Sequence, residues 1–416
     1  MSVIRRAAVI AYHSSPLTEP GSGDAGGMTV YVRELAMALA RRSFSTDIFT
    51  RATLDAPRIV QVAPGVRVIQ IEAGPIEKLD KDGIGIYRPE FVAGVRAFAM
   101  SQRVSYDLIH SHYWQSGLTA LELARVWGVP LVHSHHTLGR VKNRFLAPGD
   151  VPEVPSRLEG EAEIIERADV LVTSTDEELL QLACLYGAPH DRLKTLHPGV
   201  DHAAFHPNGR SQGRGGLGLA DEAIVLCVGR IQRLKGIDLA IEAVDELRST
   251  LARPVRLVVV GGPSGSGGEQ ELERLGELTR SRGLEQHVSF FGPQPHDRLP
   301  AFYRAADALL VCSFSESFGL AALEAHACGT PVVGTPVGGL AHIVRDGRSG
   351  WLVGSRDPTE IAARVGTLLS GDDVWRSYSA EAVDSAAGFS WDETAAEFME
   401  LYECLAREEF PELCTC

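Results

Sequence analysis

The sequence contains no apolar run approaching the roughly 18 residues a membrane-spanning helix requires, and Met1-Ser2-Val3-Ile4-Arg5-Arg6 leads into a strand-like segment, not a signal peptide. A cytoplasmic protein with no membrane partner is expected. Basic residues are not in excess: 40 Lys plus Arg stand against 54 Asp plus Glu, a formal net charge of −14. That balance argues against nucleic acid as the main partner and requires any anion to be held by a local basic cluster. Cysteine is scarce and odd in number, at seven. Cys184, Cys227, Cys312 and Cys328 lie in apolar segments, as buried thiols of a reducing compartment do, whereas Cys414 and Cys416 form only a C-x-C. No Gly-Lys-Ser/Thr follows the glycine-rich stretch 21–27, so it is not a Walker loop, and the dinucleotide G-x-G-x-x-G is not at its expected spacing.

What is present is alternation. A chain of 416 residues exceeds the size of one core, so two domains of about 200 residues are expected. Strand-like segments at 7–11, 45–50, 66–71, 108–110, 130–133 and 170–173 alternate with helical stretches at 30–42, 91–103 and 117–127. Val32, Leu35, Ala36 and Leu39 fall on one face of the first of these. A second series of strands, at 223–228, 255–260, 288–291, 308–312 and 331–333, follows Pro198-Gly199-Val200-Asp201 and a Gly-, Arg- and Ser-rich segment at 207–218 read as loose linker. The pattern predicts an α/β protein with two Rossmann-like doubly wound domains, 1–200 and 201–388, facing each other across a cleft. A capping box, Ser390-Trp391-Asp392-Glu393, opens a final helix within 389–416.

Ser315-Glu316-Ser317-Phe318-Gly319-Leu320-Ala321-Ala322-Leu323-Glu324 places two carboxylates eight residues apart across a strand-to-helix junction. Glu316 precedes the helix and Glu324 lies two turns along it, roughly 12 Å away at 1.5 Å per residue. Between them the free N–H groups around Phe318, Gly319 and Leu320 offer an anion site. Sugar hydroxyls, diphosphate and ribose hydroxyls of a nucleotide sugar have this layout. In Val228-Gly229-Arg230-Ile231-Gln232-Arg233-Leu234-Lys235-Gly236 a buried strand ends in cations, and Arg230 and Lys235 can converge on a pyrophosphate. Gly26 and Gly27 let backbone approach a ligand before the next helix. His110, His112, His133, His135 and His136 cluster at strand ends, but no Cys or carboxylate completes a familiar metal-ligand set. Asp80-Lys81-Asp82 is a D-x-D in a charged loop, read as solvated charge.

With these motifs the chain resembles the retaining nucleotide-sugar glycosyltransferases of family 4, which have the GT-B fold. The resemblance implies that Glu316, Phe318, Gly319, Leu320 and Glu324 hold the donor. It also implies that Arg230 and Lys235 bind its diphosphate, that Gly26 and Gly27 line the reaction centre, and that His136 contacts the transferred sugar. The segment Phe291-Gly292-Pro293-Gln294 would meet the base, with Gln294 in the donor site. His136, Glu316, Arg230 and Lys235 would then carry the chemistry, by front-face displacement and with no metal or other cofactor expected. The final helix would cross back to the first domain.

In the first half the resemblance narrows to the branch of that family that glycosylates inositol phosphate in the mycothiol pathway. It is carried by Gly23-Asp24-Ala25-Gly26-Gly27-Met28, by residues 106–114, by His136-Thr137-Leu138 and by Val141-Lys142-Asn143. It implies transfer of N-acetylglucosamine from UDP-GlcNAc to a small anionic acceptor whose phosphate meets Lys78, Tyr113, Thr137 and Arg157. Thr29 stands where the family has an inositol-contacting Asn, and Ser43-Phe44-Ser45-Thr46 replaces the usual Gly-His-Glu-Val. These departures leave open an aminocyclitol or thiol acceptor and a UDP- or GDP-sugar donor. A UDP-GlcNAc 2-epimerase and a catalytically silent binding protein are the readings of other classes, and a homodimer is compatible with all of them.

Overall fold

Strands β1 (Arg6–Ile10), β2 (Ser45–Arg51), β3 (Ile59–Ala63), β4 (Val66–Ile71), β5 (Leu108–His112), β6 (Leu131–Ser134), β7 (Val170–Thr173) and β8 (Leu193–Thr195) form one sheet in the order β3-β4-β2-β1-β5-β6-β7-β8. All neighbours pair parallel except β3 and β4. A second, wholly parallel sheet runs β11-β10-β9-β12-β13-β14, from β9 (Ala223–Val228), β10 (Val255–Val260), β11 (Val288–Phe290), β12 (Ala308–Val311), β13 (Val332–Gly334) and β14 (Gly350–Leu352). The computed structural model describes residues 4–21, 23–53, 57–77, 79, 81, 83–218, 222–265 and 267–406.

The central strands of both sheets are buried on two faces, which is why they read as largely apolar runs with little alternation. Strand order reverses between β1 and β5 in the first sheet and between β9 and β12 in the second. In open α/β sheets ligands bind beyond the carboxyl ends of the strands at this switch point. The segments that follow these four strands carry Gly26 and Gly27, Tyr113, Arg230 and Glu316. The fold thus brings motifs from four distant places in sequence to one cleft.

The last helix, Trp391–Ala406, packs on the first sheet: Trp391, Phe398 and Tyr402 share a core with Tyr31, Leu39, Phe44 and Leu108. Its capping box forms, with Glu393 N donating to Ser390 Oγ at 3.1 Å, and Arg41 Nε donates to Asp392 Oδ1 at 2.9 Å. The chain passes between domains at Gly199 and again at Ser390. A Cβ on Gly199 would fall on the backbone of Ser390 and Trp391, so only glycine lets the two passages touch. Among the described residues no helix is long and apolar enough to cross a membrane.

Three expectations change. Strands β3, β8 and β14 were not anticipated, being short edge elements with little apolar signal. The segment 207–218 is not loose linker: Arg210–Leu217 is a helix. Its glycines disfavour helix by about 1 kcal/mol each, yet Arg210 and Arg214 bind Asp307 at 2.7 and 2.6 Å, and Gly213 sits so close to Ala301 that a Cβ would come within 2.8 Å of its carbonyl oxygen. Finally, Cys227, Cys312 and Cys328 are buried as expected, but Cys184 is exposed, on the outer face of the one-turn π-helix Leu182–Tyr186.

Candidate active site

The cleft between the sheets encloses about 320 Å³. On the second domain's wall, β12 ends at Val311 and the chain turns through Ser313 to Glu316 before the helix Leu320–Ala327. Glu316 Oε1 accepts hydrogen bonds from Lys235 Nζ and, at 2.8 Å, from Ser313 Oγ. Sequence reasoning gave these two residues separate roles; the structure joins them in one ion pair. Lys235 reaches Glu316 because Gly236, at φ 62°, turns the chain directly after it; a Cβ there would also strike the Cys312 carbonyl. The turn holding Glu316 is in turn backed by Gly338, where a Cβ would fall on the Glu316 carbonyl oxygen, and by Gly339, where it would fall on that of Phe318. This Gly pair was missed; the doublet after a strand was its signal. Phe318 is buried beneath the junction, and Gly319 enters the helix at φ 96°. Leu320 and the first N–H groups of that helix open onto the cleft.

Arg230 follows β9 and crosses to the first domain, where Nη1 lies 3.5 Å from the Asp24 carbonyl oxygen. A Cβ on Gly26 would stand 3.2 Å from Arg230 Nε, so the missing side chain makes room for the guanidinium. Gly26 and Gly27 open the helix Gly27–Arg41, three residues earlier than the sequence pattern suggests. Arg230, the glycine pair and the helix N-terminus thus converge from both domains.

His136 holds an unusual backbone for a non-glycine residue, φ 60°. Its Nε2 lies 2.9 Å from His112 Nδ1, its ring packs edge-on to Tyr31, and its carbonyl accepts from Ser317 Oγ across the cleft. Burial pushes its pKa down to about 3. A neutral imidazole beside the helix junction can donate or accept a hydrogen bond without adding charge. Two other histidines of the cluster are tied to neighbouring hydroxyls: His110 sits 2.9 Å from Tyr402 Oη and 3.0 Å from Ser134 Oγ, and His133 2.8 Å from Ser111 Oγ. Among the described residues no group of His, Cys, Asp and Glu side chains is placed to hold a metal ion.

Arg157, Tyr113 and Thr137 meet on the first domain's wall. Arg157, 1% exposed, donates from Nη1 to Tyr113 Oη at 3.2 Å and from Nη2 to Thr137 Oγ1 at 3.0 Å. Glu161 at 2.8 Å and Glu153 at 2.9 Å neutralise it from behind. Lys142 also lines the cleft and pairs with Glu153, whose own pKa burial would raise but Arg157 and Lys142 bring down to about 2. Lys142 was legible only as part of a motif, and Glu153 and Glu161 were not singled out at all. Tyr113 is another positive-φ residue, at 75°, which turns its ring under Arg157.

Of the other anticipated acceptor residues, one is placed away from this group and one lies outside the described residues. Thr29 is 2% exposed and off the cleft wall, its hydroxyl donating to the Gly26 carbonyl at 2.7 Å within the glycine turn. Lys78 lies outside the described residues, as do Asp80 and Asp82. Lys81 lines the cleft, with Gln115 Nε2 donating to its carbonyl.

At the far end of the cleft Glu324 is almost buried. Its Oε1 is 2.7 Å from His296 Nε2 and its Oε2 accepts from Tyr303 Oη at 2.8 Å. A carboxylate has about four lone-pair sites, so two remain for a diol. Gln294 lines the same end, its amide donating to the Phe291 carbonyl at 3.0 Å.

Residues 26–199 match the family model for a glycosyl transferase 4-like domain, and residues 214–383 that for glycosyl transferases group 1. The chain is 49% identical over 405 residues to the D-inositol 3-phosphate glycosyltransferase of Acidothermus cellulolyticus, covering 96% of this chain and 90% of that protein. It is 47% identical over 423 residues to D-inositol 3-phosphate glycosyltransferase 2 of Catenulispora acidiphila, 99% of each. Among solved structures, sucrose-phosphate synthase from Thermosynechococcus elongatus aligns with a TM-score of 0.89 and 31% identity over 97% of this chain and 100% of that one. Anabaena Alr3699/HepE in complex with UDP-glucose shares the fold, with a TM-score of 0.74 and 19% identity over 95% and 99%. Built on the GT-B fold, with both halves matched by family models and near full-length relatives close to half identical, the chain belongs to glycosyltransferase family 4 and groups with the D-inositol 3-phosphate glycosyltransferases of the mycothiol pathway.

Proposed function

We propose that the enzyme transfers N-acetylglucosamine from UDP-GlcNAc to inositol phosphate with retention at the anomeric carbon and without a metal ion. The observation that carries this reading is the disposition of the cleft: Glu316, Lys235, Arg230 and a helix N-terminus on one wall face Arg157, Tyr113 and Thr137 on the other. On this reading Arg230, Lys235 and the N–H groups at Leu320 stabilise the charge that develops on the departing diphosphate. Glu324 accepts the ribose hydroxyls and Glu316 those of the sugar, its position fixed by Lys235 and Ser313. His136, held neutral, hydrogen-bonds the transferred sugar. With no carboxylate assigned as nucleophile, a leaving phosphate oxygen takes the proton of the incoming hydroxyl as that hydroxyl attacks the same face. Arg157 orders the Tyr113 and Thr137 hydroxyls toward the acceptor's phosphate, Lys142 turns from Glu153 to meet it, and the relatives' shared acceptor supports inositol phosphate over an aminocyclitol or thiol.

The test is a matrix of UDP- and GDP-sugars against inositol phosphate, free inositol, an aminocyclitol and a thiol, scored by released nucleotide, product mass and the anomeric coupling constant. The expected result is turnover with UDP-GlcNAc and inositol phosphate giving one retained anomer. Preference for a neutral acceptor, or conversion of UDP-GlcNAc without any acceptor as an epimerase would perform, overturns the reading.

A further inference from the structure

Beyond the donor and acceptor groups, one side chain of the first domain reaches the nucleoside end of the cleft. Arg33 lies on the second turn of the Gly27–Arg41 helix, whose first residues line the cleft. Its Nη2 stands 3.2 Å from His296 Nδ1, in the second domain. The other ring nitrogen, Nε2, is 2.7 Å from Glu324 Oε1. Arg33 has no hydrogen-bond acceptor, so His296 Nδ1 must be the acceptor in this contact. The tautomer follows: the proton is on Nε2, donated to Glu324, and the ring is neutral.

We propose that Arg33 is a positioning residue for donor binding, a closing contact between domains that holds His296 in its neutral Nε2–H tautomer, whose N–H fixes the Glu324 carboxylate with its remaining lone pairs toward the ribose hydroxyls. This inference rests on the reading of Glu324 as the ribose carboxylate. A protonated His296 would turn an N–H toward the Arg33 guanidinium, donor against donor and cation against cation. The Arg33 contact and the protonated ring are therefore mutually exclusive, and whatever protonates His296 breaks this contact between the domains.

The groups facing His296 set the direction of the pH response. Arg33 and Glu34 face it from the Gly27–Arg41 helix, Glu324 from Leu320–Ala327, while the Phe205 ring packs at 5.2 Å and Tyr303 backs Glu324. Burial lowers the His296 pKa, as does Arg33, but Glu324 and Glu34 outweigh them and the net shift is upward. The neutral ring that Arg33 requires is thus lost as pH falls toward and through the raised value. Domain closure and nucleotide affinity should weaken on mild acidification.

The test uses the full-length enzyme with UDP as the probe, measured by calorimetry from pH 5.5 to 8.5, and donor and acceptor KM measured separately. Arg33→Met should weaken UDP binding at pH 8 by about tenfold, the loss of one charge-assisted contact, raise the donor KM equally and leave the acceptor KM unchanged; Arg33→Lys should restore part of it. His296→Gln can donate to Glu324 and accept from Arg33 as the neutral ring does, so it should bind UDP at pH 8 as the wild type does and lose the acid weakening. Equal UDP affinity and pH dependence in wild type, Arg33→Met and His296→Gln would overturn the proposal. A wild type that binds no UDP but binds another nucleotide with the same Arg33 and pH dependence would overturn only the choice of base, whereas a wild type that binds no nucleoside diphosphate would remove the donor reading and this inference with it.

Discussion

Lys235 donates to the carboxylate of Glu316 across two loops that leave adjacent strands of the second sheet, β9 and β12, so the cation proposed for the diphosphate and the anion proposed for the sugar are a single electrostatic unit. Removing either partner frees the other to reorganise.

Glu316→Gln and Lys235→Ala should each lower kcat by at least roughly 100-fold, as loss of a transition-state contact does. Because the two act as a unit, the double variant should be little worse than the poorer single one. Steady-state kinetics with circular dichroism as a folding control decide it; near-normal turnover in both single variants would sink the donor-site assignment.

Lys142→Ala should raise the acceptor KM severalfold with the donor KM nearly unchanged, since it removes one of the cleft's acceptor-side cations while Arg157 stays in place. Lys78→Ala is expected to act in the same direction. If both variants keep wild-type acceptor KM for inositol phosphate, the anionic-acceptor reading fails.

Thr29→Val should leave the acceptor KM within about twofold and cost about 1 kcal/mol of stability, the usual loss for one buried hydrogen bond. Thr29→Asn should not improve inositol phosphate use, since the side chain is buried against the Gly26 carbonyl. A better acceptor KM in Thr29→Asn would show that the residue reaches the ligand after all.

Activity should survive excess EDTA, because Arg230, Lys235 and a helix N-terminus supply positive charge at the diphosphate. Abolition with rescue by Mg²⁺ would point to Asp80 and Asp82.

The buried histidines set an acid limit on stability. His13, His110, His135 and His136 are pushed down to about 3 by burial, and His112 and His133 well below the ordinary 6.5. Below pH 6.5 the unfolded chain binds protons the folded one refuses, so stability present above 6.5 falls as pH drops toward 3. Glu178, raised to about 7 by burial, opposes this with one proton. The melting temperature should therefore decline from about pH 6.5 downward, and His135→Phe, at a ring whose nitrogens have no hydrogen-bond partner, should shallow the slope. A melting temperature flat between pH 7 and 5 would contradict it.

Much of this was written locally. The apolar strands, the Glu316 and Glu324 spacing, and the Arg230 and Lys235 loop are short-range patterns, because strand burial, helix pitch and loop length are set by neighbouring residues. The helix at Arg210–Leu217 was not legible, since Asp307, nearly a hundred residues away, is what holds its arginines. Nor was the turned-away hydroxyl of Thr29, which a resemblance between sequences placed in the acceptor site.

The sequence by itself determined the fold class, through the alternation of strands and helices along the chain, and the family, through motifs each written within about ten consecutive residues. Only the tertiary structure decided which groups work together. The Glu316 ion pair with Lys235 joins loops of two neighbouring strands, the Arg157 cluster joins separate elements of the first domain, and the Arg33–His296–Glu324 chain joins the two domains. Their partners are chosen by distance in space and by the need to satisfy buried charge, and neither quantity has a period or a spacing along the chain.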